Sequence, residues 1–345
     1  MTEARLDPIL STAPPVFSEA EARDAAKRHF GITGDFDALT SERDVNWRID
    51  TGAARYVLKL ANPAEPPEVT DFQIRALLHF EPQGLPVPRV VRTRDNKTEA
   101  VTPQGRLRLL TYLDGVMLHA APPSTPLRRS VAQMNARITK ALADFSHPAA
   151  AHVLQWDIQH ASRLEPFLRD VPEHLRGLAG KALIRFNLEA APVLPGLPRQ
   201  VCHADLNPHN VVVSADHQSV TGVLDFGDMV LTPRVCDLAV ALAYQIDTEN
   251  PAHSLIDYLA AYCEIVPLSP DERALVPVLI EARWLTTLCI ASHRAKEQPQ
   301  NAAYINRNVP LTAAGLGAFA QVDRAALQDR LTARDFATTL TQRLP

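Results

Sequence analysis

The sequence predicts an α+β fold of two lobes, with a small β-rich N-terminal lobe over residues 1–113 and a large, mainly helical C-terminal lobe over residues 114–345. Three observations lead to this prediction. The first part of the chain alternates short β-type runs with helical patterns. Beyond Asp114 the chain is a succession of helical patterns. Those patterns are interrupted once, between Arg199 and Thr232, by short β-like runs.

The composition is that of a folded globular protein. The 345 residues are 46% hydrophobic and 21% charged, with a net charge of −4, which gives no sign of disorder or of a nucleic-acid-binding surface. The N-terminus lacks the basic flank and apolar core of a signal peptide, and no apolar run approaches the ~20 residues that span a bilayer. The four cysteines lie far apart, which favours buried free thiols over a disulfide or zinc framework. We therefore expect a cytoplasmic protein without a membrane partner.

The N-terminal lobe begins with a predicted helix. Ser18 and Glu21 form a capping-box pattern, and Gly31 supplies the stop. VNWRID, the turn TGAA and RYVLKLA then predict a β-hairpin, because both arms are rich in β-branched and aromatic residues. EVTDFQIRALLHF predicts an amphipathic helix that ends near Gly84. VPRVVRT and RLRLLTYL, separated by a turn at RDNK, return the chain to strands.

Six segments of the C-terminal lobe have helical patterns. They are PLRRSVAQMNARITKALADF, ASRLEPFLRDV, EHLRGLAGKALIRFNLEAA, VCDLAVALAYQI, LIDYLAAYCEIV and DERALVPVLIEARWLTTLCIASHR.

The β-like interruption, HADLNPHNVVVSADHQSVTGVLDFGD, reads as a hairpin of two apolar runs, 210–214 and 220–224. Residues just before the first strand and just after the second lie side by side in such a hairpin, which places Asn210 beside Asp225. Asp205 is close enough in sequence for its loop to fold back toward the same point. Three oxygen donors would then converge at one edge of the hairpin.

Phosphoryl transfer requires this set of groups. It needs hard oxygen ligands for Mg²⁺ and a carboxylate that orients the attacking hydroxyl and accepts its proton. Asn210 and Asp225 fit the role of metal ligands, and Asp205 fits that of the base. A cation is also needed on the phosphates of the donor, and Lys59 on a predicted strand of the N-terminal lobe is the candidate.

HADLNPHN and DFGD resemble the H-G-D-x-x-x-x-N and D-F-G or D-W-E motifs of the protein-kinase-like aminoglycoside and choline phosphotransferases. Within that superfamily the chain is most similar to the hydroxylysine kinase group, including the similar modules fused to class III aminotransferases. The supporting stretches are LTSERDVNWRI, YVLKLANPAE, LPVPRV, ALADFSHPA, WDI, GVLDFGDM and CDLAVALAY.

The resemblance implies a protein-kinase-like two-lobed fold and an enzyme that uses Mg²⁺. Such an enzyme moves the γ-phosphoryl group of GTP or ATP to a hydroxyl of a small amine-bearing alcohol. Hydroxylysine is favoured, followed by homoserine, choline or ethanolamine-like alcohols and aminoglycosides. A functional link to a class III aminotransferase is also implied.

Further roles follow from the same resemblance. Residues 109–115, which include Thr111 and Leu113, would form the hinge whose backbone reads the purine edge. Asp237 would anchor the catalytic region. Asp228 would lie beside the metal site, within reach of a substrate amine.

The chain departs from the family pattern in the loop that should cover the phosphates, which we call the glycine-free loop. TSERDVNWRI contains no glycine, and the hydroxylysine kinase group shares its SERD feature. This resemblance implies that the side chains of Ser41 and Arg43 assist in binding phosphates. The helix residue that should pair with the strand lysine is Gln73, with Glu68 and Asp71 as alternatives. Ala204 replaces a family glycine, which a backbone tolerant of Cβ would accept.

Two other functions remain open at this stage. His203 and His209 suggest a metal hydrolase, although neither belongs to a helical i, i+4 pair and DFGD would then have no role. His203 fits better as a buried residue that braces the loop. The missing glycines and Gln73 suggest instead a nucleotide-binding regulatory module without turnover.

The sequence specifies the acceptor pocket less closely than any other part of the site. Trp156 and Asp157 fit a helix-packing corner first and a substrate wall second. Four residues of one long predicted helix fit an interior salt bridge first and a grip on the amine and carboxylate of a substrate second: Glu281, Arg283, Trp284 and Arg294.

Overall fold

The computed structural model describes residue 12, residues 14–41, residues 43–333 and residue 336. These residues form an N-terminal lobe built on an antiparallel sheet and a C-terminal lobe built mainly of helices. Each lobe has its own hydrophobic core.

Six strands build the sheet of the N-terminal lobe. They are β1 (Asp35–Leu39), β2 (Val45–Asp50), β3 (Arg55–Leu60), β4 (Val90–Val91), β5 (Ala100–Thr102) and β6 (Gly105–Thr111). The strand order is β1-β2-β3-β6-β4, and β5 also pairs with β6. The predicted hairpin is confirmed as β2 and β3, with Val45 opposite Leu60 and Asp50 opposite Arg55. The sequence did not predict β1, because DFDAL carries two acids and only one residue, Phe36, that the fold buries.

Two helices flank this sheet. Helix α1 (Glu19–Ala25) starts at the predicted capping box of Ser18 and Glu21, and its π-helical continuation ends at Gly31, whose φ is 73°. Helix α2 (Pro67–Phe80) packs its apolar face on the core of the C-terminal lobe. The lobes therefore share hydrophobic contacts next to the cleft between them.

The chain crosses between lobes after β6 and at once forms β7 (Val116–Met117), which pairs with a strand of the C-terminal lobe. The crossing contains Leu113, the last residue of the predicted N-terminal lobe. Gly115 adopts a φ of 148°, and a Cβ there would lie 2.7 Å from the carbonyl oxygen of Val213. Only glycine allows this close approach of two backbones.

Eight α-helices build the described part of the C-terminal lobe. They are α3 (Thr125–Ala141), α4 (Glu173–Arg185), α5 (Arg234–Ala243), α6 (Pro251–Cys263), α7 (Pro270–Glu297), α8 (Ala302–Ile305), α9 (Val309–Phe319) and α10 (Arg324–Thr332). The segment predicted as a helix at ASRLEPFLRDV is helical but of the 3₁₀ type, Ile158–Asp170. Pro166 inside it cannot donate a backbone hydrogen bond, which disfavours an α-helix there.

Helix α7 is the central helix of this lobe. By length and composition it is the one described helix that could cross a membrane, but 94% of its most apolar window is buried inside the protein. Burial on all sides explains its apolar composition.

The β-like interruption forms two small sheets. Its strands are β8 (Arg199–Cys202), β9 (Val211–Val213), β10 (Val220–Val223) and β11 (Val230–Pro233). Strand β9 lies between β10 and β7, whereas β8 pairs with β11. Leu224 donates a 2.8 Å hydrogen bond from its backbone N–H to the carbonyl of Asn210. The predicted hairpin is thus confirmed, and its open end holds Asn210 next to the residues that follow β10.

Candidate active site

Two adjoining cavities lie in the cleft between the lobes. The hinge cavity, about 700 Å³ in volume, is lined by apolar side chains such as Val57 and Met117 and by Thr111 and Leu113 of the predicted hinge. The Asp205 cavity, about 210 Å³, is polar and is lined largely by the C-terminal lobe. The first volume suits a ligand the size of a drug or nucleotide.

The carboxylate of Asp205 is fixed by side chains on both of its oxygens. Its Oδ2 accepts 2.8 Å hydrogen bonds from the side-chain amides of Asn207 and Asn210. Its Oδ1 accepts a 3.0 Å hydrogen bond from Nη2 of Arg283. Asp205 and Asn210 therefore converge as predicted, and the plane of the carboxylate is set before any ligand binds.

Burial is the main influence on the acidity of Asp205. It raises the pKa of this carboxyl to about 7, although the nearby Arg283 lowers it, while Asp228 adds to the rise. A carboxylate with a pKa near neutrality is a competent general base, since it is ionised at working pH yet able to accept a proton.

The loop that carries Asp205 is held from beneath by Asp237. Its Oδ1 accepts a 2.6 Å hydrogen bond from the backbone N–H of Ala204, and its Oδ2 accepts one of 3.0 Å from Asn135. Ala204 itself has a φ of 61°, in the left-handed region. The expectation of a backbone tolerant of Cβ at this position is wrong, because an L-residue is strained there. Strain of this kind concentrates at functional sites.

His203 braces the same loop from a fully buried position. Its Nδ1 accepts a hydrogen bond from the N–H of Asp205, so Nε2 donates to the carbonyl of Leu224 at 3.1 Å. Burial lowers its pKa, which is consistent with a neutral ring. Among the residues that the structure describes, no group of three or more His, Cys, Asp or Glu side chains could hold a metal ion. Both ring nitrogens of His203 are engaged, so it is no metal ligand.

Asp225 follows the hairpin and faces the strand lysine of the other lobe. Lys59 Nζ lies 3.9 Å from Oδ1 of Asp225. Lys59 is the main cause that lowers the pKa of Asp225 to about 2, against the opposing effect of burial. Asp225 also adopts a φ of 54° and is a second strained non-glycine residue in the cleft. The four residues predicted to carry out the chemistry are therefore brought together.

The predicted contact between Gln73 and Lys59 is wrong. The amide of Gln73 donates to Glu65 at 2.7 Å and accepts from Arg108 at 2.7 Å. Lys59 pairs instead with Asp44, at 3.4 Å. Asp44 belongs to the SERD stretch of the glycine-free loop. Sequence reasoning singled out this stretch but did not predict that Asp44 pairs with Lys59.

Ser41 and Arg43 of this loop line the Asp205 cavity. Arg43 reaches across the cleft and donates a 2.7 Å hydrogen bond to Oδ1 of Asp228. Asp228 also lines the Asp205 cavity. The glycine-free loop is thus joined to the C-terminal lobe at the residue that follows the DFG triplet.

Of the residues proposed to wall the acceptor, Arg283 and Trp156 line the Asp205 cavity and Asp157 does not. The guanidinium of Arg283 lies over the rings of Trp156 and Tyr244, at 5.4 and 5.6 Å from their centroids. Asp157 is buried, and its carboxylate accepts hydrogen bonds from Gln159 and from the hydroxyl of Thr232. These contacts agree with the helix-packing corner that was expected first for Asp157, and its second expectation, a substrate wall, is wrong.

For Glu281 the interior salt bridge expected first is confirmed, and the substrate roles expected second for Glu281 and Trp284 are wrong. Glu281 is fully buried, and Arg185 and Arg324 both pair with its carboxylate. Trp284 is buried in the core, where it packs on Phe319 at 5.0 Å between ring centroids. Neither residue lines the hinge cavity or the Asp205 cavity.

Sequence reasoning missed Tyr304 and Arg307, which line both cavities. They lie in and just beyond α8, far along the chain from every motif. Their spacing carries no signal, because only the packing of α8 on α7 brings them to the cleft.

Comparison with known proteins agrees with this geometry. The family model described as APH, phosphotransferase enzyme family, matches residues 36–276. A hydroxylysine kinase of Mus musculus is 26% identical over 328 residues, which cover 86% of this chain and 87% of the relative. A homoserine kinase of Zymomonas mobilis is 29% identical over 251 residues, which cover 70% of this chain and 75% of the relative.

Solved structures share the fold. An amicoumacin kinase in complex with AMP-PNP and Ca²⁺ superposes with a TM-score of 0.67 at 13% identity, covering 90% of this chain and 97% of the other. The predicted α+β, kinase-like, two-lobed fold is confirmed.

Proposed function

The chain belongs to the APH phosphotransferase enzyme family and is a phosphotransferase with an alcohol acceptor, and we propose that it phosphorylates a hydroxy-amino acid with ATP or GTP. Hydroxylysine is the favoured acceptor. The observation that carries this proposal is the convergence of Asp205, Asn210, Asp225 and Lys59 at the boundary of the two cavities.

Each of these residues has a defined task in the proposal. Asp205 orients the acceptor hydroxyl and takes its proton. The hydroxyl oxygen forms a bond to the γ-phosphorus as the bond to the β,γ-bridging oxygen breaks, and the nucleoside diphosphate leaves. Lys59 lines the hinge cavity, where it would contact the phosphates of the donor.

Asn210 and Asp225 fit the requirements of Mg²⁺ ligands. The amide nitrogen of Asn210 donates to both the carbonyl and the carboxylate of Asp205, which leaves the amide oxygen for other ligands. Asp225 has a pKa of about 2 and is ionised at neutral pH. Hard oxygen donors of this kind are those that Mg²⁺ prefers. When bound, the ion would neutralise charge on the donor phosphates.

The hinge cavity would bind the nucleotide. Its apolar side chains suit a purine ring, and the backbone at Thr111 and Leu113 would read the edge of the base. The hydrophobic wall favours neither purine, so ATP and GTP remain equal candidates. The four free cysteines support a reducing, cytoplasmic location.

The charges of the Asp205 cavity support an acceptor that carries a carboxylate. Carboxylates lie near the DFG end, whereas the charged residues that α7 contributes are arginines, namely Arg283 and Arg294. A purely cationic acceptor such as choline or an aminoglycoside would face these guanidinium groups unfavourably. An amino acid matches both signs of charge. Homoserine, the substrate in the name of the Zymomonas mobilis relative, is the second candidate acceptor.

A panel of acceptors tests the proposal. The purified protein is incubated with Mg²⁺ and either ATP or GTP, together with 5-hydroxylysine, homoserine, choline, ethanolamine or an aminoglycoside, and phosphorylated product is measured. We expect 5-hydroxylysine to give the highest kcat/KM and its decarboxylated analogue to be a poor acceptor. Asp205→Asn is the matched control and should remove turnover while nucleotide binding persists. Nucleotide binding without phosphorylation of any acceptor would favour a regulatory module instead.

A further inference from the structure

The boundary between the two cavities is the place where donor and acceptor must meet. Asn210 and Asp225 line both cavities and mark this boundary on the side of the C-terminal lobe. Among the described residues that line both, Arg307 is the one lysine or arginine. Lys59 lines the hinge cavity alone, and Arg43 lines the Asp205 cavity alone.

Arg307 is held in place without being neutralised. Its guanidinium lies 4.0 Å from the centroid of the Tyr304 ring, and its Nη1 donates a 3.2 Å hydrogen bond to the Tyr304 carbonyl. In the described part of the chain, no carboxylate lies within ion-pair distance of it. Stacking on an aromatic ring restrains an arginine while its remaining N–H groups stay available to a ligand.

The chemistry needs an additional cation at this boundary. The transferring phosphoryl group spreads negative charge over three oxygens. The nearest cations of the protein are each paired with an acid: Arg283 with Asp205, Lys59 with Asp225 and Arg43 with Asp228. The glycine-free loop cannot bring its backbone N–H groups as close to phosphate as a glycine-rich loop can. Arg43 in that loop is already engaged by Asp228.

We propose that Arg307 is a catalytic residue that binds oxygens of the γ-phosphoryl group, from the C-terminal lobe. This inference rests on the proposed function. Arg307 would take over the part of the charge stabilisation that the glycine-free loop does not supply, and it would favour a nucleoside triphosphate over a diphosphate.

Binding without turnover tests this role directly. The affinities of Mg²⁺·AMP-PNP and Mg²⁺·ADP are measured by calorimetry for the wild-type protein, Arg307→Ala, Arg307→Lys and Arg28→Ala. Arg28 lies in the π-helical continuation of α1 and lines neither cavity, and its substitution removes the same charge. We expect Arg307→Ala to weaken AMP-PNP binding by about 10- to 100-fold while ADP binding changes little. Arg307→Lys should lose less, and Arg28→Ala should lose nothing.

Kinetics separate this role from acceptor binding. Arg307→Ala should lower kcat by about 100- to 1,000-fold and leave the KM of the acceptor unchanged. An unchanged ratio of AMP-PNP to ADP affinity, or a raised acceptor KM with normal kcat, would overturn the proposal. If the wild-type protein phosphorylates no acceptor, the proposed function fails, and the binding comparison still decides the role of Arg307. Thermal unfolding of each variant verifies folding. Should the alanine variant not fold, the ratio of AMP-PNP to ADP affinity of Arg307→Lys tests the role of Arg307.

Discussion

The guanidinium of Arg43 donates a 2.7 Å hydrogen bond to the carboxylate of Asp228, although 185 residues separate them in sequence. Only 17% of the Arg43 side chain and 10% of the Asp228 side chain are exposed. Arg43 belongs to the glycine-free loop before β2, and Asp228 follows the DFG triplet. This ion pair therefore joins the loop of the N-terminal lobe to the C-terminal lobe beside the Asp205 cavity. Gly227 makes room for it, since a Cβ there would lie 2.9 Å from Nη2 of Arg43.

We expect Arg43 and Asp228 to be energetically coupled. Arg43→Met and Asp228→Asn should each lower the free energy of unfolding by about 1–3 kcal/mol, because each leaves a shielded charge without its partner. The double variant should lose less than the sum, with a coupling of about 1 kcal/mol or more in urea denaturation.

The exposed pair of Asp24 in α1 and Arg28 in its π-helical continuation is the control for this cycle. Its side chains are 62% and 68% exposed, and its coupling should stay below about 0.5 kcal/mol. Equal coupling in the two pairs would show that the contact between the lobes contributes nothing specific.

The pH dependence of turnover should follow Asp205. Its pKa is raised to about 7 by burial, and the base must be ionised, so kcat/KM for the acceptor should rise with pH and level off above about 7. Arg283→Met removes the cation that lowers this pKa and should move the rise to higher pH. Arg283→Lys keeps the charge and should leave the profile near that of the wild type. A profile indifferent to the charge at position 283 would contradict the assignment of Asp205 as base.

The same pKa shift predicts how stability varies with pH. The pKa of Asp205 is higher in the folded protein than the ordinary value of about 3.9 for an aspartate in an unfolded chain. Its contribution to stability is therefore greatest below about pH 4 and is lost as the pH rises to about 7. Asp205→Asn removes this loss, so the stability of the variant relative to the wild type should increase across that range in urea denaturation. A constant difference would indicate an ordinary pKa.

The convergence of Asp205, Asn210 and Asp225 could be predicted from the sequence because these residues are near one another in the chain. A hairpin of two short apolar runs places Asn210 beside Asp225, and Asp205 is separated from Asn210 by one loop. The hydrogen bonds among these residues follow from local folding. Family motifs added the roles, and Lys59 came from the most regular hairpin of the N-terminal lobe.

The acceptor wall could not be predicted because α7 is buried all round. Residues two apart on a helix point in nearly opposite directions, so Glu281 and Arg283 cannot both face one pocket. In an amphipathic helix the polar stripe identifies the exposed face, but α7 has no such stripe. Sequence reasoning proposed Gln73 as the partner of Lys59, with Glu68 and Asp71 as alternatives, and did not consider Asp44. Spacing along the helix could not show that Arg108, from another strand, occupies the Gln73 amide.

Gly115 should be indispensable where the chain crosses between lobes. Gly115→Ala places a Cβ 2.4 Å from Cγ1 of Val212 and forces an L-residue to a φ of 148°. We expect it to lower the free energy of unfolding by about 2–4 kcal/mol. Gly177→Ala is the matched control, because Gly177 lies in α4 with open space around its Cβ position. That variant should gain up to about 1 kcal/mol, and equal effects of the two substitutions would argue against the close approach.

Glu281 should matter for stability and not for catalysis. It accepts charge-assisted contacts from Arg185 of α4 and Arg324 of α10, so one carboxylate holds three helices together. Glu281→Gln leaves two guanidinium groups facing each other without a counter-charge. We expect a loss of about 2–4 kcal/mol in unfolding free energy and unchanged KM and kcat at a temperature where the variant is folded.

The exposed Glu297 at the end of α7 is the control for Glu281. Glu297→Gln removes the same charge from a side chain that is 51% exposed and should change stability by less than about 1 kcal/mol. A large rise in acceptor KM for Glu281→Gln at full stability would return this residue to the acceptor site. The burial of its carboxylate behind Arg185, away from the Asp205 cavity, is the reason we expect the opposite.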